Sequence, residues 1–275
     1  MMLTLDRLID QALQEDIHTG DITTRAVVPE RRPASARLIA KDELVTSGLP
    51  VAAMVFRRLD PAIAWSGSAD EGERVPAGTI LATVSGDASD LLMGERVALN
   101  LLQRMCGIAT LTSRYVAAVA GTGVRIVDTR KTTPGLRELE KSAVRAGGGI
   151  NHRTGLYDGV LIKENHIAAA GGIAEAIRRA RSYIPHTLKI EIETENLEQV
   201  RQALEAGAEI IMLDNMGLDD MRQAVALIGG RALVEASGGV NLETVRDIAE
   251  TGVDIISVGA LTHSPKAMDI SMLLD

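Results

Sequence analysis

The sequence predicts an α/β protein in two parts, an N-terminal α+β domain followed by a barrel of alternating strands and helices. Three observations carry this. From Val124 onward short apolar runs alternate with amphipathic segments, giving strands at 124–128, 158–163, 188–193, 209–214, 232–236 and 254–258, and helices at 167–182, 196–206, 218–228 and 241–251. Within that region NLEQVRQALEAGAEIIMLD (196–214) aligns in register with NLETVRDIAETGVDIISVG (241–259). Each copy reads as a capped helix, a glycine turn and a buried strand, the mark of a repeated βα unit. The first hundred residues show no such alternation and read as short strands and helices joined by tight turns.

In order, Leu5, Leu8, Ile9 and Leu13 have helical spacing, in a helix ending near Asp16. EDIHTGDITT follows as a polar loop around Gly20. Ala34 to Val45 reads as strand. Leu49 to Leu59 reads as helix, with Pro50 in its first turn. Ala62–Trp65, Glu73–Val75 and Thr79–Val84 are short strands separated by Gly72 and Pro76-Ala77-Gly78. Ser89 to Ala120 is a long helical region that Gly94 and Gly107 divide. Arg96 and Arg104, eight residues apart, share a face of it and are surface arginines by pattern alone. The domains are therefore 1–110 and 111–265, with 266–275 returning to the first, because no βα unit is left for it to complete.

At 275 residues the chain has ample length for a core, and with 46% hydrophobic but only 2% aromatic residues that core must be aliphatic. A formal net charge of −8 argues against nucleic acid or an anionic membrane as the partner. The single cysteine, Cys106, excludes an internal disulfide and reads as a small buried hydrophobe. Asp6, Arg7 and Asp10 among the first apolar residues speak against a signal peptide, and no apolar run is long enough to span a bilayer. A soluble, cytoplasmic protein is expected.

Against that acidic background the stretch Asp128–His166 is basic. Arg137, Lys141 and Arg145 recur every four residues beside Glu138 and Glu140, as on a solvated helix face. Five other cations stand at the ends of apolar runs or after a glycine triplet: Arg130, Lys131, His152, Arg153 and Lys163. Cations buried without a partner cost several kcal/mol, so they answer either protein carboxylates or an anionic ligand. Five in one segment favour a ligand with several carboxylate or phosphate groups. In a βα barrel the strand ends form the site, which adds Glu193, Asp214, Ser237-Gly238-Gly239 and Gly259-Ala260. The glycine turns let backbone N–H groups approach a phosphate, helped by a helix N-terminus at Asn241. Lys189, Glu191 and Glu193 share one strand face and would point inward, where cationic partners must meet them.

DTRKTTPGLR, EKSAVRAGGGINHR and GLYDGVLIKENH closely resemble the signature of the quinolinate phosphoribosyltransferases, the carboxylating nicotinate-nucleotide pyrophosphorylases of NAD synthesis. EDIHTGDITT, GERVALN, EIET, MLDN, EASGG and SVGALTHS extend the resemblance over nearly the whole chain. It implies a seven-stranded, incomplete α/β barrel beside an N-terminal α+β sandwich domain, the opening covered by a partner subunit. It also implies a homodimer or larger assembly in which Arg96 reaches the neighbour's site. Arg130, His152, Arg153, Lys163 and that Arg96 would bind the quinolinate carboxylates and the phosphates of phosphoribosyl pyrophosphate, with Thr129 beside them and Lys131 at the pyrophosphate end. Glu193 and Asp214 would flank the ribose or hold Mg2+, and Ser237, Gly238, Gly239, Gly259 and Ala260 the 5′-phosphate. Lys131, Lys163, Glu193 and Asp214 would carry the chemistry, and no residue serves as nucleophile.

Two rivals come from the same residues. A strand-end lysine such as Lys163 suits Schiff-base chemistry. Molybdenum-transport-associated relatives share the RKT-PG block and would bind ligand without turnover. Cys106, His166 and His263 receive no role.

Overall fold

The computed structural model describes residues 2–28 and 30–275. In chain order its elements are α1 (Met2–Ile17), α2 (Ile22–Val27), β1 (Pro33–Ala40), β2 (Leu44–Val45), α3 (Leu49–Leu59), β3 (Ala64–Gly67), β4 (Arg74–Val75), β5 (Ile80–Asp87) and α4 (Ala88–Ala118). There follow β6 (Arg125–Val127), α5 (Arg137–Ala146), β7 (Val160–Ile162), α6 (Glu164–Ala170), α7 (Ile173–Tyr183), β8 (Ile190–Thr194), α8 (Leu197–Glu205) and β9 (Ile210–Asp214). Last come α9 (Leu218–Ile228), β10 (Leu233–Ser237), α10 (Val245–Ala249), β11 (Ile255–Ser257), α11 (Ala260–His263) and β12 (Ile270–Leu274). They form two compact units, Met1–Ser113 with Thr133–Gly148 and Ser264–Asp275, and Arg114–Thr132 with Gly149–His263.

The first unit is built on an antiparallel sheet in the order β12-β1-β5-β3. The alternation in β1 buries Ala36, Leu38 and Ala40 on one face, and these pack with Phe56, Leu81, Leu91 and Leu102. The chain's end returns here: β12 pairs with β1 from Ala36↔Leu274 to Ala40↔Ile270. Helix α3 starts from a left-handed Gly48, and the Glu71 carboxylate accepts the N–H groups of Gly48 and Leu49 at 2.8–3.0 Å, satisfying two of its first free donors.

Four expectations are corrected in this unit. EDIHTGDITT is not wholly loop, because Asp21 accepts the Thr24 N–H at 2.9 Å and caps α2. Gly94 and Gly107 do not divide α4, which runs unbroken for 31 residues. They are sites of close approach instead: a Cβ on Gly94 would stand 2.9 Å from the Phe56 ring, and one on Gly107 would stand 2.2 Å from the Lys266 carbonyl oxygen. The segment Thr133–Gly148, assigned from sequence to the barrel, belongs to this unit. Its helix α5 keeps Glu138 and Arg145 exposed, but its charges are not all solvated, since Glu140 and Lys141 are 1% and 2% exposed. Glu140 accepts from Arg104 Nη2 and Nε at 2.7 and 3.0 Å and from the Thr133 N–H at 3.1 Å.

The second unit is a parallel sheet in the order β6-β11-β10-β9-β8-β7. Six regular strands are present rather than seven. The seventh position is reduced to an isolated parallel bridge between Ile150 and Val127, directly before Asn151-His152-Arg153. Residues from all six strands and from Ile150 line one internal cavity of about 260 Å³, so the sheet curls into an open barrel. The alternate residues Ile190, Ile192, Ile211, Leu213, Ala236 and Ile256 are fully buried on the sheet's other face.

The internal repeat holds at atomic level. Asn196 caps α8 by accepting the Gln199 N–H, and its counterpart Asn241 accepts those of Glu243 and Thr244. Glu209 accepts the Ile190 N–H of the preceding strand at 2.8 Å, and Asp254 accepts that of Val234 at 2.8 Å. The helix expected at 167–182 is two, α6 and α7, broken where Gly171 and Gly172 take φ of +90° and +139°. Among the described residues no helix is long and apolar enough to cross a membrane.

Candidate active site

Parallel strands deliver their C-terminal ends to one edge of the barrel, so residues far apart in sequence meet there. A cavity of about 700 Å³ opens at that edge. It is lined by Thr129, Arg130 and Lys131 beyond β6, His152 and Arg153 beyond the Ile150 bridge, and Lys163 beyond β7. Glu193 of β8, Asp214 of β9, and Ser237, Gly238 and Gly239 at the end of β10 complete the ring of expected residues. Leu161 and Met212 add apolar wall.

Three expected residues lie outside this lining. Gly259 stands next to it, since a Cβ there would lie 3.1 Å from Lys131 Cδ, and Ala260 begins α11. Arg96 belongs to α4 of the first unit, with a side chain 58% exposed and its nearest carboxylate, Glu95, 4.0 Å away. His263, given no role from sequence, flanks the same Gly259 position at 3.2 Å. The main chain of Lys131 is fixed by its own N–H donating to Thr129 Oγ1 at 3.0 Å and by its carbonyl accepting from the buried Thr262 hydroxyl at 2.8 Å.

Charge in the cavity is unevenly compensated. Lys163 and Glu193 form a salt bridge. Arg153 is different: burial draws its guanidinium down from the usual arginine range and the neighbouring Arg130 draws it further, against Glu191, Asp158 and Glu193. Its Nη1 donates to the Gly159 carbonyl at 3.2 Å. A guanidinium strained by a like charge gains from an anionic ligand, and a carboxylate fits its planar fork.

Beneath the mouth lies a buried polar layer. Glu191 and Glu235 are 4% and 1% exposed, as the inward parity of β8 and β10 requires. His152 Nε2 lies 3.0 Å from Glu191 Oε2 and 3.6 Å from Glu235 Oε2. Burial pushes the Glu235 carboxyl up to about 8, with the charge of Glu191 adding to the rise and His152 opposing it. Asp128, wholly buried, accepts the His152 N–H at 2.9 Å and the Asn151 side-chain amide at 2.6 Å. The sequence puts Asp128 at a strand end but does not reveal these two bonds. The signal was only that the run Ile126-Val127 ends in an acid.

The SGG turn is shaped for close approach. Gly238 and Gly239 both take positive φ, +92° and +63°, and a Cβ on Gly238 would stand 2.2 Å from Asn215 Oδ1. A Cβ on Gly239 would meet nothing within 4 Å, so this main chain faces open space. The helix expected to begin at Asn241 begins at Val245 and has five residues, and α11 has four. An anion here would therefore be met by turn N–H groups more than by a helix dipole. Glu193 and Asp214 offer oxygen donors to the same cavity, a donor set that suits Mg2+.

Residues 21–106 match the family described as quinolinate phosphoribosyl transferase, N-terminal domain, and residues 108–273 match its C-terminal domain. A probable nicotinate-nucleotide pyrophosphorylase [carboxylating] of Synechocystis sp. is 49% identical, over 98% of this chain and 92% of that protein. The corresponding Bacillus subtilis protein is 46% identical, over 98% and 93%. Among solved structures, NadC from Streptococcus pyogenes is 41% identical with a TM-score of 0.96, covering 100% of this chain and 98% of that one. The nicotinate-nucleotide pyrophosphorylase of Francisella tularensis is 40% identical with a TM-score of 0.95, covering 99% and 96%.

Proposed function

This chain belongs to the quinolinate phosphoribosyltransferase family, and from that membership and the cavity's chemistry we infer that it transfers the phosphoribosyl group of phosphoribosyl pyrophosphate to quinolinate. The products are nicotinate mononucleotide, pyrophosphate and carbon dioxide, a step of de novo NAD synthesis. The observation that carries this reading is a single cavity lined by Arg130, Lys131, Arg153 and Lys163 together with Glu193, Asp214 and the SGG turn. The cations suit two carboxylates, and the acids and the turn a ribose phosphate.

The pyridine nitrogen forms its bond to ribose C1 as the bond from C1 to pyrophosphate oxygen breaks, the electron pair leaving with that oxygen. The ribose becomes cationic in passing, and the carboxylates of Glu193 and Asp214 stabilise it while Lys131 takes up charge on the leaving group. Arg130, Arg153 and Lys163 hold the quinolinate ring so that its nitrogen faces C1. The ring nitrogen is now positive. The adjacent C–COO⁻ bond breaks, carbon dioxide leaves, and the electron pair left on the ring carbon is stabilised by that charge until a proton from water arrives. Mg2+, which Glu193 and Asp214 would hold, would supply further neutralisation of the pyrophosphate. Ser237, Gly238, Gly239, Gly259 and Ala260 are read as the 5′-phosphate cradle, with Thr129 a further substrate contact beside Arg130.

The same reading makes the enzyme a cytoplasmic homodimer or larger assembly, with Arg96 of one subunit completing the site of the next. Its exposure and its loose contact with Glu95 leave it available for that. The Schiff-base alternative is less favoured, because Lys163 is tied to Glu193 in a half-exposed setting rather than held in a dry apolar pocket.

A turnover assay with quinolinate, phosphoribosyl pyrophosphate and Mg2+, following nicotinate mononucleotide, tests the reading, with nicotinate as the alternative substrate. Product from quinolinate alone is expected. Product from nicotinate would mean that the cations read something other than two carboxylates, and none from either would leave binding without turnover.

A further inference from the structure

We propose that Glu191 is a positioning residue acting through His152: it fixes that imidazole as the tautomer protonated on Nε2, which sets the main chain at Arg153 and so aims the guanidinium at a substrate carboxylate. Arg153's part in this is the one inferred above.

Both ring nitrogens of His152 are turned to the protein. Nδ1 accepts the backbone N–H of Arg153 at 2.7 Å, so it carries no proton. A neutral imidazole then has its hydrogen on Nε2, which points at Glu191 Oε2, 3.0 Å away. Glu235 Oε2, 3.6 Å from the same nitrogen, stands behind as a second wall. His152 lines the cavity, yet it has no ring N–H left to give a substrate. It is thus a strut between the barrel core and Arg153 rather than a member of the carboxylate clamp. The residue's other end is fixed as well, since its N–H donates to Asp128. The turn leading into Arg153 therefore hangs from two buried acids, one on β8 and one just beyond β6.

A metal ion is the obvious rival, because one ligand atom each from His152, Glu191 and Glu235 lie within 4.8 Å of one another, and Glu191 Oε1 and Glu235 Oε1 have no hydrogen-bond partner among the described residues. The His152 ring argues against it. A histidine that ligates through Nε2 donates from Nδ1 to an acceptor, whereas here Nδ1 receives a donor.

Two measurements test this. In ¹⁵N-histidine NMR of the full-length protein, with the His152 signals assigned by their loss in H152N, Nδ1 should resonate as an unprotonated ring nitrogen and Nε2 as an N–H. The opposite tautomer or an imidazolium would overturn the proposal. Kinetics give the second. Asparagine places its amide oxygen where Nδ1 stands and so retains the acceptor for the Arg153 N–H, while glutamine places its polar group near Nε2. The KM for quinolinate should be at least about tenfold higher in H152Q than in H152N, with the KM for phosphoribosyl pyrophosphate within about threefold between them. E191A should raise the quinolinate KM in the same selective way, and E191Q, whose amide oxygen can still accept from Nε2, should raise it less. Losses falling equally on both substrates, or H152Q matching H152N in variants with native melting temperatures, would sink the idea. A wild-type protein inactive on quinolinate would remove the reading of the cavity while leaving the tautomer result to stand or fall alone.

Discussion

Lys163 and Glu193, on the adjacent strand ends of β7 and β8, form a salt bridge at the mouth of the cavity. Their side chains are 46% and 17% exposed. A pair this wet contributes at most about 1 kcal/mol to folding. On the proposed function its placement serves the site, with the ammonium held for an anion and the carboxylate for a developing positive ribose. Lys163→Ala should lower kcat/KM by about 100-fold or more, the scale of losing one preorganised charge, and leave the melting temperature nearly unchanged. A large fall in melting temperature with activity intact would reverse the assignment.

The Arg104–Glu140 pair should behave in the opposite way. Glu140 is 1% exposed and accepts three hydrogen bonds, two of them from Arg104. Removing the carboxylate takes away two of the Arg104 hydrogen bonds and the acceptor of the Thr133 N–H, while Arg104 Nη2 keeps its bond to Thr133 Oγ1, a loss of about 3–5 kcal/mol. Glu140→Ala should show this in urea unfolding, and Glu140→Gln, which still accepts, should lose less. Equal midpoints for wild type and Glu140→Ala would mean that water replaces the pair.

Much of this layout was legible in the sequence, and the reason is periodicity. A strand end is marked by where an apolar run stops, and this placed Lys163, Glu193, Asp214 and the SGG turn without any contact being known. The repeat at 196–214 and 241–259 gave the barrel for the same reason. What was hidden depends on tertiary partners. Nothing local distinguishes Lys141, buried in α5, from Arg145 on the same helix. Gly94 and Gly107 looked like helix breaks because glycine weakens a helix, but each is small to admit a neighbour. The seventh strand was invisible because Ile150 makes a single bridge, too short for any pattern. The use of both His152 nitrogens depends on a main-chain N–H that no sequence motif reports.

Gly107 gives the clearest stability test of close approach. A methyl group there would stand 2.2 Å from the Lys266 carbonyl oxygen, and that segment leads into β12 after Met268 N–H donates to the Gln103 carbonyl. Gly107→Ala should destabilise by about 1–3 kcal/mol through overpacking and speed proteolysis or amide exchange across Ile270–Leu274. Gly94→Ala meets the Phe56 ring at 2.9 Å, a side chain that can shift, so its loss should be smaller. Equal or reversed effects would contradict the packing.

Glu235 sets a pH dependence of stability. Its folded value, pushed up to about 8 mainly by burial and next by Glu191, lies above that of an unfolded glutamate. The folded state therefore holds the proton more tightly, and stability from this group is full below the unfolded value and falls as pH rises towards 8. Glu235→Gln removes that loss. Relative to wild type, the variant should be more stable at pH 8 than at pH 5 by roughly 2–4 kcal/mol, read from urea midpoints at both pH values. Parallel curves for the two proteins would show that Glu235 is ionised in the fold.

Arg96 tests whether sites are shared between subunits. It sits on α4 with its side chain 58% exposed and, among the described residues, no carboxylate nearer than Glu95 at 4.0 Å, so its own unit gives it little to do. Alone, Arg96→Ala and Arg153→Ala should each be nearly inactive, the second losing quinolinate affinity far more than affinity for phosphoribosyl pyrophosphate. In a heterodimer of the two variants, one of the two sites receives Arg96 from one subunit and Arg153 from the other and is whole. Mixed and re-annealed protein should recover up to about one quarter of wild-type activity, since half the dimers are hybrid and each hybrid has one intact site of two. Both parents must stay inactive through the same treatment. Hybrids isolated by dual affinity tags and still inactive would put Arg96 back on the surface, with the clamp made by one subunit alone.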